Sequence, residues 1–465
     1  MSSSDWRFTL QIIKILPHLE KMMPTGSTTT SYVQRAFPLR YWLFVAYAVG
    51  VPTFINFDAT NRTHEFGLFN AWSIATMFLT FSTAFLFLAI TLLSKVKIVV
   101  RKIYFSSWIW GSLLILFLIA SICEPHFRTQ PNTGTDLYIS VYRLGEWVLA
   151  FLLLLSIYSR EPLESSANLM ASLLGRICWA YIAIVWLVLP IAPHLAYSID
   201  PTVSVARLGG ILIHPDTLAT LAGIACFHAL LRLSGVMRVA AFCIAFITNV
   251  LTYSRSGTVV LLFALALYVI FFGRGLVRFI GGIVSVLMLG SIILYANRIV
   301  DYLARGNGLK NIASLSDRTY VWSDAVEGFK LRPLLGYGFM SGAKNALKEH
   351  WKYSHWVPPH THNELLQALL SGGILAAILV LCLFLNALWC SVRLSRIGPT
   401  YRLFLFALVQ LTLFAILAPL VTIQFGVTAA AFTISFVAVV DHKKLQDRTA
   451  QVKLRNSFRE IVDIG

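Results

Sequence analysis

Residues 358–389 read PPHTHNELLQALLSGGILAAILVLCLFLNALW. The stretch opens on two prolines and two imidazoles, then runs from Leu365 to Trp389 without a charge. A bilayer core needs about 20 such residues per helix, so the run predicts a membrane span reached directly from polar chain. The polar chain in front of it, from about Ile299 to Asn363, is the long polar interruption in the back half of an otherwise apolar sequence. Of 465 residues, 57% are hydrophobic and only 13% charged, and the mean hydropathy is +0.72. Soluble domains carry about 25% charged residues, so the composition is that of a polytopic membrane protein.

Working outward, apolar runs predict spans at Tyr41–Phe57, Phe69–Leu93, Tyr104–Cys123, Leu137–Tyr158, Leu173–Ile191 and Leu208–Leu231. They continue at Met237–Tyr253, Ser256–Phe272, Gly275–Ala296, Leu365–Trp389, Leu403–Val421 and Gly426–Val440, the last two close enough to form one kinked hairpin. The formal net charge of +17 could suggest nucleic acid. Its distribution points instead to topology: basic residues cluster at Lys95–Lys102, Arg160, Arg232 and Arg238, Arg274 and Arg278, Arg393–Arg402 and the tail from Lys443. The alternate short loops hold only Arg62, Arg128, Arg207 and Arg255. By the positive-inside rule both termini are cytoplasmic and the 299–363 loop is external. The expectation is an all-α membrane protein of about 12 transmembrane helices. Its parts are a cytoplasmic arm (1–40), nine spans (41–298), a loop with short helices (299–363), three spans (364–440) and a basic tail (441–465). No short apolar core precedes a cleavage site, so no removable signal peptide is expected.

Six cysteines lie in or beside apolar runs with no CxxC spacing and read as small packed residues. Neither D-x-D, a P-loop nor H-E-x-x-H occurs, so the sequence offers no evident docking site for a metal-bound nucleotide or nucleotide sugar.

Arg207 and Arg255 stand on the side that disfavours positive charge. A lone arginine there can snorkel to headgroups; two together suit an anion, because guanidinium binds phosphate bidentately and stays charged. In Ile213-His214-Pro215-Asp216-Thr217, Pro215 restricts His214 to extended geometry and Asp216 suits a helix cap, which predicts a broken start to that span. Arg318, Trp322, Ala325, Val326 and Phe329 recur at helical spacing and predict an amphipathic helix at the membrane surface. Arg318 is a third phosphate-ligand candidate. Gly336-Tyr337-Gly338 lacks strand–helix context and reads as a tight turn. An imidazole can take a proton from a hydroxyl near neutrality. His362, beside a capping Asn363, is the candidate base, and His360 competes for the role. His214 and His228 read as packed within the membrane. Arg143 and Glu146, at i and i+3 within a span, read as a structural pair.

The runs Arg207-Leu208-Gly209 to Pro215-Asp216, Thr252-Tyr253-Ser254-Arg255-Ser256-Gly257, Arg318-x-x-x-Trp322, Pro333-Leu334-Leu335-Gly336-Tyr337-Gly338-Phe339 and His362-Asn363 through Leu366-Gln367 to Gly373-Ile374-Leu375 resemble the O-antigen ligase/polymerase superfamily. The resemblance covers about Leu173 to Ala387 in motif and the whole chain in span layout. It implies a GT-C-like glycosyltransferase of the bacterial inner membrane, with no metal, cofactor or nucleotide. The donor would be a glycan on undecaprenyl pyrophosphate, used on the periplasmic side. A ligase passes it to lipid A–core, the slightly favoured reading; a polymerase passes it to a lipid-linked repeat unit. The family resemblance assigns the acceptor base to His362 and the donor pyrophosphate to Arg207 and Arg255. The chain departs from the commonest pattern with Asp216, where asparagine is frequent, and lacks a Thr after Gly373 seen in some ligases. A lipid-glycan transporter, the rival class, would place ionisable groups near the midplane.

Overall fold

The computed structural model describes residues 39–53, 71–93, 133–158, 163–200, 205–210, 212–273, 318–351 and 360–442, the last without 424, with isolated positions at 111, 115, 119, 275, 278, 279 and 358. The expected arm (residues 1–38), the bulk of the spans Tyr104–Cys123 and Gly275–Ala296, residues 299–317 of the loop and the tail beyond 442 lie outside the described residues.

Helices dominate what is described. We label them α1 (Leu39–Thr53), α2 (Ala71–Leu93), α3 (Thr133–Tyr158), α4 (Leu163–Val188) and a single turn α5 (Pro193–Ala196). After a short ribbon follow α6 (Pro215–Arg232), α7 (Gly235–Leu251) and α8 (Arg255–Phe272). The loop helices are α9 (Arg318–Leu331) and α10 (Ser341–His350); α11 (Glu364–Leu394), α12 (Pro399–Ala415) and α13 (Val427–His442) close the chain. Among the described residues, three helical stretches are long and apolar enough to cross a membrane: Ser166–Val188, Arg255–Phe272 and Glu364–Leu394. Five shorter apolar helices accompany them among the described residues.

The helical architecture carries one addition, an antiparallel ribbon of β1 (Tyr197–Asp200) and β2 (Val205–Leu208) in register Ser198 to Arg207. Residues 205–208 and the turn after them therefore precede the helix that the hydropathy began at Leu208. The expected break stands: α6 starts at Pro215, whose missing N–H costs nothing in the first turn.

At the centre, α6 packs against α4, α7, α8 and α12. Its sequence, PDTLATLAGIACFHALLR, supplies the small residues that let apolar helices approach closely. Aromatic contacts seal this junction: Phe227 of α6 stacks on Phe406 of α12 with ring centroids 4.5 Å apart, and Tyr268 of α8 meets Phe406 edge-on at 5.5 Å. Such pairs add about 0.5–1.5 kcal/mol each beyond their burial.

The loop helices dock on protein. Val321 and Ala325 of α9, Ala343 and Leu347 of α10 and Leu370 of α11 form a buried cluster. The buried stripe of α9 thus runs through Val321, Asp324, Ala325 and Gly328, while Val326, which was expected on the apolar face, is exposed. Beneath this cluster α11 is broken at Gly372 and Gly373, where Gly373 has φ 67°. The loop after α9 fills the break: Tyr337 N donates to Leu370 O (2.7 Å), Gly338 N to Ser371 O (2.9 Å) and Ile374 N to Pro333 O (2.8 Å). Gly336-Tyr337-Gly338 is more than a turn; it repairs an interrupted helix. A Cβ on Gly336 would stand 2.5 Å from Leu370 O, and one on Gly373 would stand 2.2 Å from Leu334 O. Both positions also have left-handed φ. Gly336→Ala and Gly373→Ala are each expected to lower stability by at least roughly 1–3 kcal/mol from backbone strain alone. Thermal unfolding of the purified protein in detergent measures this, and an unchanged midpoint in both would contradict the splice.

Candidate active site

Asp216 joins elements far apart in sequence. Arg207 on β2, only 7% exposed, places Nη2 2.7 Å from Asp216 Oδ1 and donates from Nε to Thr252 O at 3.2 Å. Arg318, the first residue of α9, places Nη2 3.8 Å from Asp216 Oδ2. One carboxylate therefore faces two guanidiniums. Asp216 is not the helix cap that the sequence suggested. That role falls to His214, whose Nδ1 accepts from Asp216 N at 3.3 Å. His214 is also exposed, not packed in the membrane as expected, because its extended backbone before Pro215 turns it away from the bundle. His228 does pack within, accepting from Trp179 Nε1 at 3.3 Å.

The turn that presents Arg255 is fixed by a buried network. Asn249 Nδ2 donates to Ala219 O (2.8 Å), Thr258 Oγ1 to Asn249 Oδ1 (3.0 Å) and Thr252 Oγ1 to Asn249 O (2.6 Å). Tyr253 adopts φ 48°, and Ser254 caps α8 by accepting from Gly257 N at 3.1 Å. Arg255 is the first residue of α8. Because Arg207 holds Thr252 O, the two arginine-bearing segments touch.

The imidazoles sit on a loop held from both sides. Trp322 Nε1 of α9 donates to Thr361 O at 3.1 Å, and Thr361 N donates to Gln367 Oε1 at 3.0 Å. Asn363 caps α11 as expected, accepting from Leu366 N at 3.0 Å, and its Nδ2 donates to Ile416 O at 3.0 Å. Glu364, buried at 2% exposure, accepts from the backbone N–H groups of Leu420, Val421 and Thr422, the latter two at 3.1 and 3.0 Å. His362 itself has φ 54°, a region costly for a residue with a Cβ. Its N–H donates to His360 Nδ1 at 3.2 Å, and the two ring centroids are 4.2 Å apart.

Burial, then the charges of His214 and Arg318, push His360 down to about 3. Burial, then His360, Arg318 and His214, hold His362 well below its ordinary value, with Asp216 opposing. Both rings are therefore neutral at pH 7. Arg318 is itself lowered, first by burial. Arg318 and Asp216 act on His362, so the histidine loop and the arginine cluster share one electrostatic site.

Arg207 and Arg318 thus face Asp216 directly, His360 and His362 feel the charge of Arg318, and Arg255 lies on the turn that adjoins Arg207. Sequence reasoning missed Asp216 as the hub, Trp322 as an anchor and Glu364 as a clamp. The signal was present: a carboxylate heading an apolar run needs a buried partner. Among the described residues no group of three or more His, Cys, Asp or Glu is placed to hold a metal ion. If Asp216 joins the site, Arg207→Ala and Asp216→Ala should each destabilise the fold, and the double variant should cost less than their sum. The coupling expected from thermal melts is roughly 0.5–3 kcal/mol; strict additivity would contradict the pairing.

The O-antigen ligase family model matches residues 240–381, which include Arg255, Arg318, His360 and His362 but not Arg207 or Asp216. Similar curated proteins include one from Rickettsia felis at 36% identity and one from Rickettsia prowazekii at 37%, each over 76 residues and each described as a "Putative polysaccharide ligase". The alignments cover 15% of this chain and 19% of each relative, well short of the relatives' full length. Residues 240–381 are thus a stretch similar to the O-antigen ligase family, in a chain whose described residues are mainly helical and include three helices apolar enough to cross a membrane.

Proposed function

We propose that this chain is a membrane glycosyltransferase. It moves a glycan from undecaprenyl pyrophosphate to an acceptor sugar at the periplasmic face of the bacterial inner membrane, with lipid A–core as the favoured acceptor. The observation that carries the reading is the pair of guanidiniums on Asp216 with two neutral imidazoles under the charge of Arg318. Arg207 and Arg318 face one carboxylate and Arg255 heads the helix after the adjoining turn, a net positive setting that suits a bridging pyrophosphate. The name shared by the matched relatives favours ligation over polymerisation.

In the reaction the acceptor hydroxyl oxygen attacks the anomeric carbon and its proton passes to His362. The bond from that carbon to the pyrophosphate breaks, its electron pair leaves on the phosphate oxygen, and the arginines stabilise the growing charge. One displacement inverts the anomeric centre. His360 accepts a backbone hydrogen bond at Nδ1, so its neutral form carries the proton on Nε2 and suits it to orient. This supports His362 over His360 as the base. Its depressed pKa keeps it unprotonated but makes it a weak base in the free protein. The arriving pyrophosphate favours imidazolium and raises that basicity when the acceptor needs it.

Purified protein given lipid-pyrophosphate donor and acceptor should form product without any ion gradient, which a pure transporter would not do. His362→Ala is expected to lose about 10²–10⁴-fold in kcat. Arg207→Lys and Arg255→Lys, which keep charge but lose the fork, are expected to lose about 10²–10³-fold while still inserting. Full turnover in both lysine variants would sink the phosphate role. The pH dependence has a definite sign: activity falls as His362 protonates at low pH. The acid limb of kcat, with donor bound, should lie at higher pH than that of kcat/KM, which reports the free enzyme; the reverse order would contradict donor-induced basicity.

A further inference from the structure

The candidate site holds an anion of its own. Asp216 places Oδ1 2.7 Å from Arg207 Nη2 and Oδ2 3.8 Å from Arg318 Nη2. The side chain of Ser254, one residue before Arg255, hydrogen-bonds the same carboxylate. His214 Nδ1 stands 3.9 Å from Oδ2, on a ring that is charged only when protonated. So β2, the start of α6, the turn before α8 and the start of α9 converge on one side chain. Asp216 is not the sole tie on either arginine-bearing segment. Arg207 also donates from Nε to Thr252 O, and α9 is held through Trp322 and through its cluster with α10 and α11. Its charge can therefore act on a ligand as well as on the fold.

A phosphate that uses Arg207 meets Asp216 in two ways. It competes for Nη2, and it brings like charge close to a carboxylate that offers only acceptors. The side chains of Arg207 and Asp216 are 9% and 16% exposed, so solvent and salt screen that repulsion weakly. The repulsion grows with the charge on the ligand.

Transfer changes that charge. In the donor the terminal phosphate is a diester. When its bond to the anomeric carbon breaks, the phosphate oxygen keeps the electron pair while the acceptor's proton passes to His362. The lipid pyrophosphate left behind ends in a monoester, which carries an additional negative charge near neutral pH. A net positive site unopposed would hold this product more tightly than the donor, and product release limits many enzymes. In the transition state only part of the new charge has developed, so a fixed carboxylate opposes the finished product most.

We propose that Asp216 is a charge-selective release element, which opposes the spent lipid pyrophosphate more strongly than the glycosylated donor and reclaims Arg207 Nη2 as the product leaves. The assignment rests on the transferase reading. Asp216 acts through the arginines, as a positioning residue and not as an acid or base.

Asp216→Asn removes the charge while keeping the size and an acceptor oxygen for Arg207. The probes are farnesyl pyrophosphate, with its free terminal phosphate, and its terminal methyl ester, which lacks the additional charge. Each is titrated by calorimetry at pH 8 into the purified full-length protein in lipid nanodiscs. Asp216→Asn is expected to bind farnesyl pyrophosphate about tenfold more tightly, and the methyl ester no more than about threefold. In the transfer assay the same variant should lower KM and kcat together, because release becomes limiting. Glu327→Gln, which removes an exposed charge elsewhere on α9, should leave both affinities unchanged. Asp216→Thr, neutral and still an acceptor, is the second variant if Asp216→Asn does not fold.

The sign of the change decides. Weaker binding of farnesyl pyrophosphate by the neutral variant would show that Asp216 only holds the arginines in place, and would overturn the proposal. An equal gain for both probes would overturn the selectivity for product. Absence of binding to wild type and variant alike would overturn it together with the phosphate role of the arginines. Calorimetry needs no turnover, so these outcomes are separable from failure of the transferase reading, which the transfer assay decides.

Discussion

Backbone N–H and C=O groups freed by a break in an apolar helix must find partners within the protein, because hydrocarbon offers none. This chain meets that constraint twice at the same helix. About ten residues into the long span, α11 opens at Gly372–Gly373 and borrows the turn segment Pro333–Gly338 to close its hydrogen bonds. At its first turn, Glu364 serves three N–H groups of the irregular connection between α12 and α13. Each repair draws a remote segment onto α11. Together they set the surroundings of the histidine loop, which is the polar start of that same helix.

Charge follows the same logic. A guanidinium on a short ribbon and another on a loop helix would repel one another across a small gap. Asp216 stands between them, close to Arg207 and farther from Arg318, and lowers the cost of gathering like charges. Strain collects beside it. Two of the three non-glycine residues with left-handed φ among the described residues, Tyr253 and His362, lie on the arginine turn and on the histidine loop. Such conformations persist only where the surroundings over-determine them, and the Asn249 and Thr361 networks supply that constraint. The result is preorganised polarity in a water-poor setting, the condition under which positioned donors act most strongly on developing charge.

Much of this was legible in the linear order of residues. Long apolar runs, the break at Pro215, the Asn363 cap, the α9 helix and the Arg143–Glu146 pair all follow from local rules of hydropathy, proline geometry and i, i+3 spacing. The common side of the membrane suggests grouping Arg207, Arg255 and His362, with Arg318 and His360 as further candidates; the contacts that are seen join Arg207 and Arg318 through Asp216, and set Arg255 on the adjoining turn. The errors share a cause. Asp216 was read as a cap and His214 as a packed residue because capping is local, whereas the carboxylate's partners lie on a ribbon and on a helix a hundred residues away. The GYG turn was read correctly as a turn, but its partner, the break in α11, has no signal at positions 336–338 themselves.

By itself, then, the sequence determined that this is a helical membrane protein with isolated charges and imidazoles at the ends of its apolar runs, since those properties depend on composition and on neighbours within a few residues. Tertiary structure decided which carboxylate balances which arginine, which nitrogen of His360 is already occupied, and which loop completes the broken helix. These are pairings over large sequence separations. They are chosen by the demand that each buried charge and backbone group find a partner, and that demand can be settled only when all the candidates are folded into the same space.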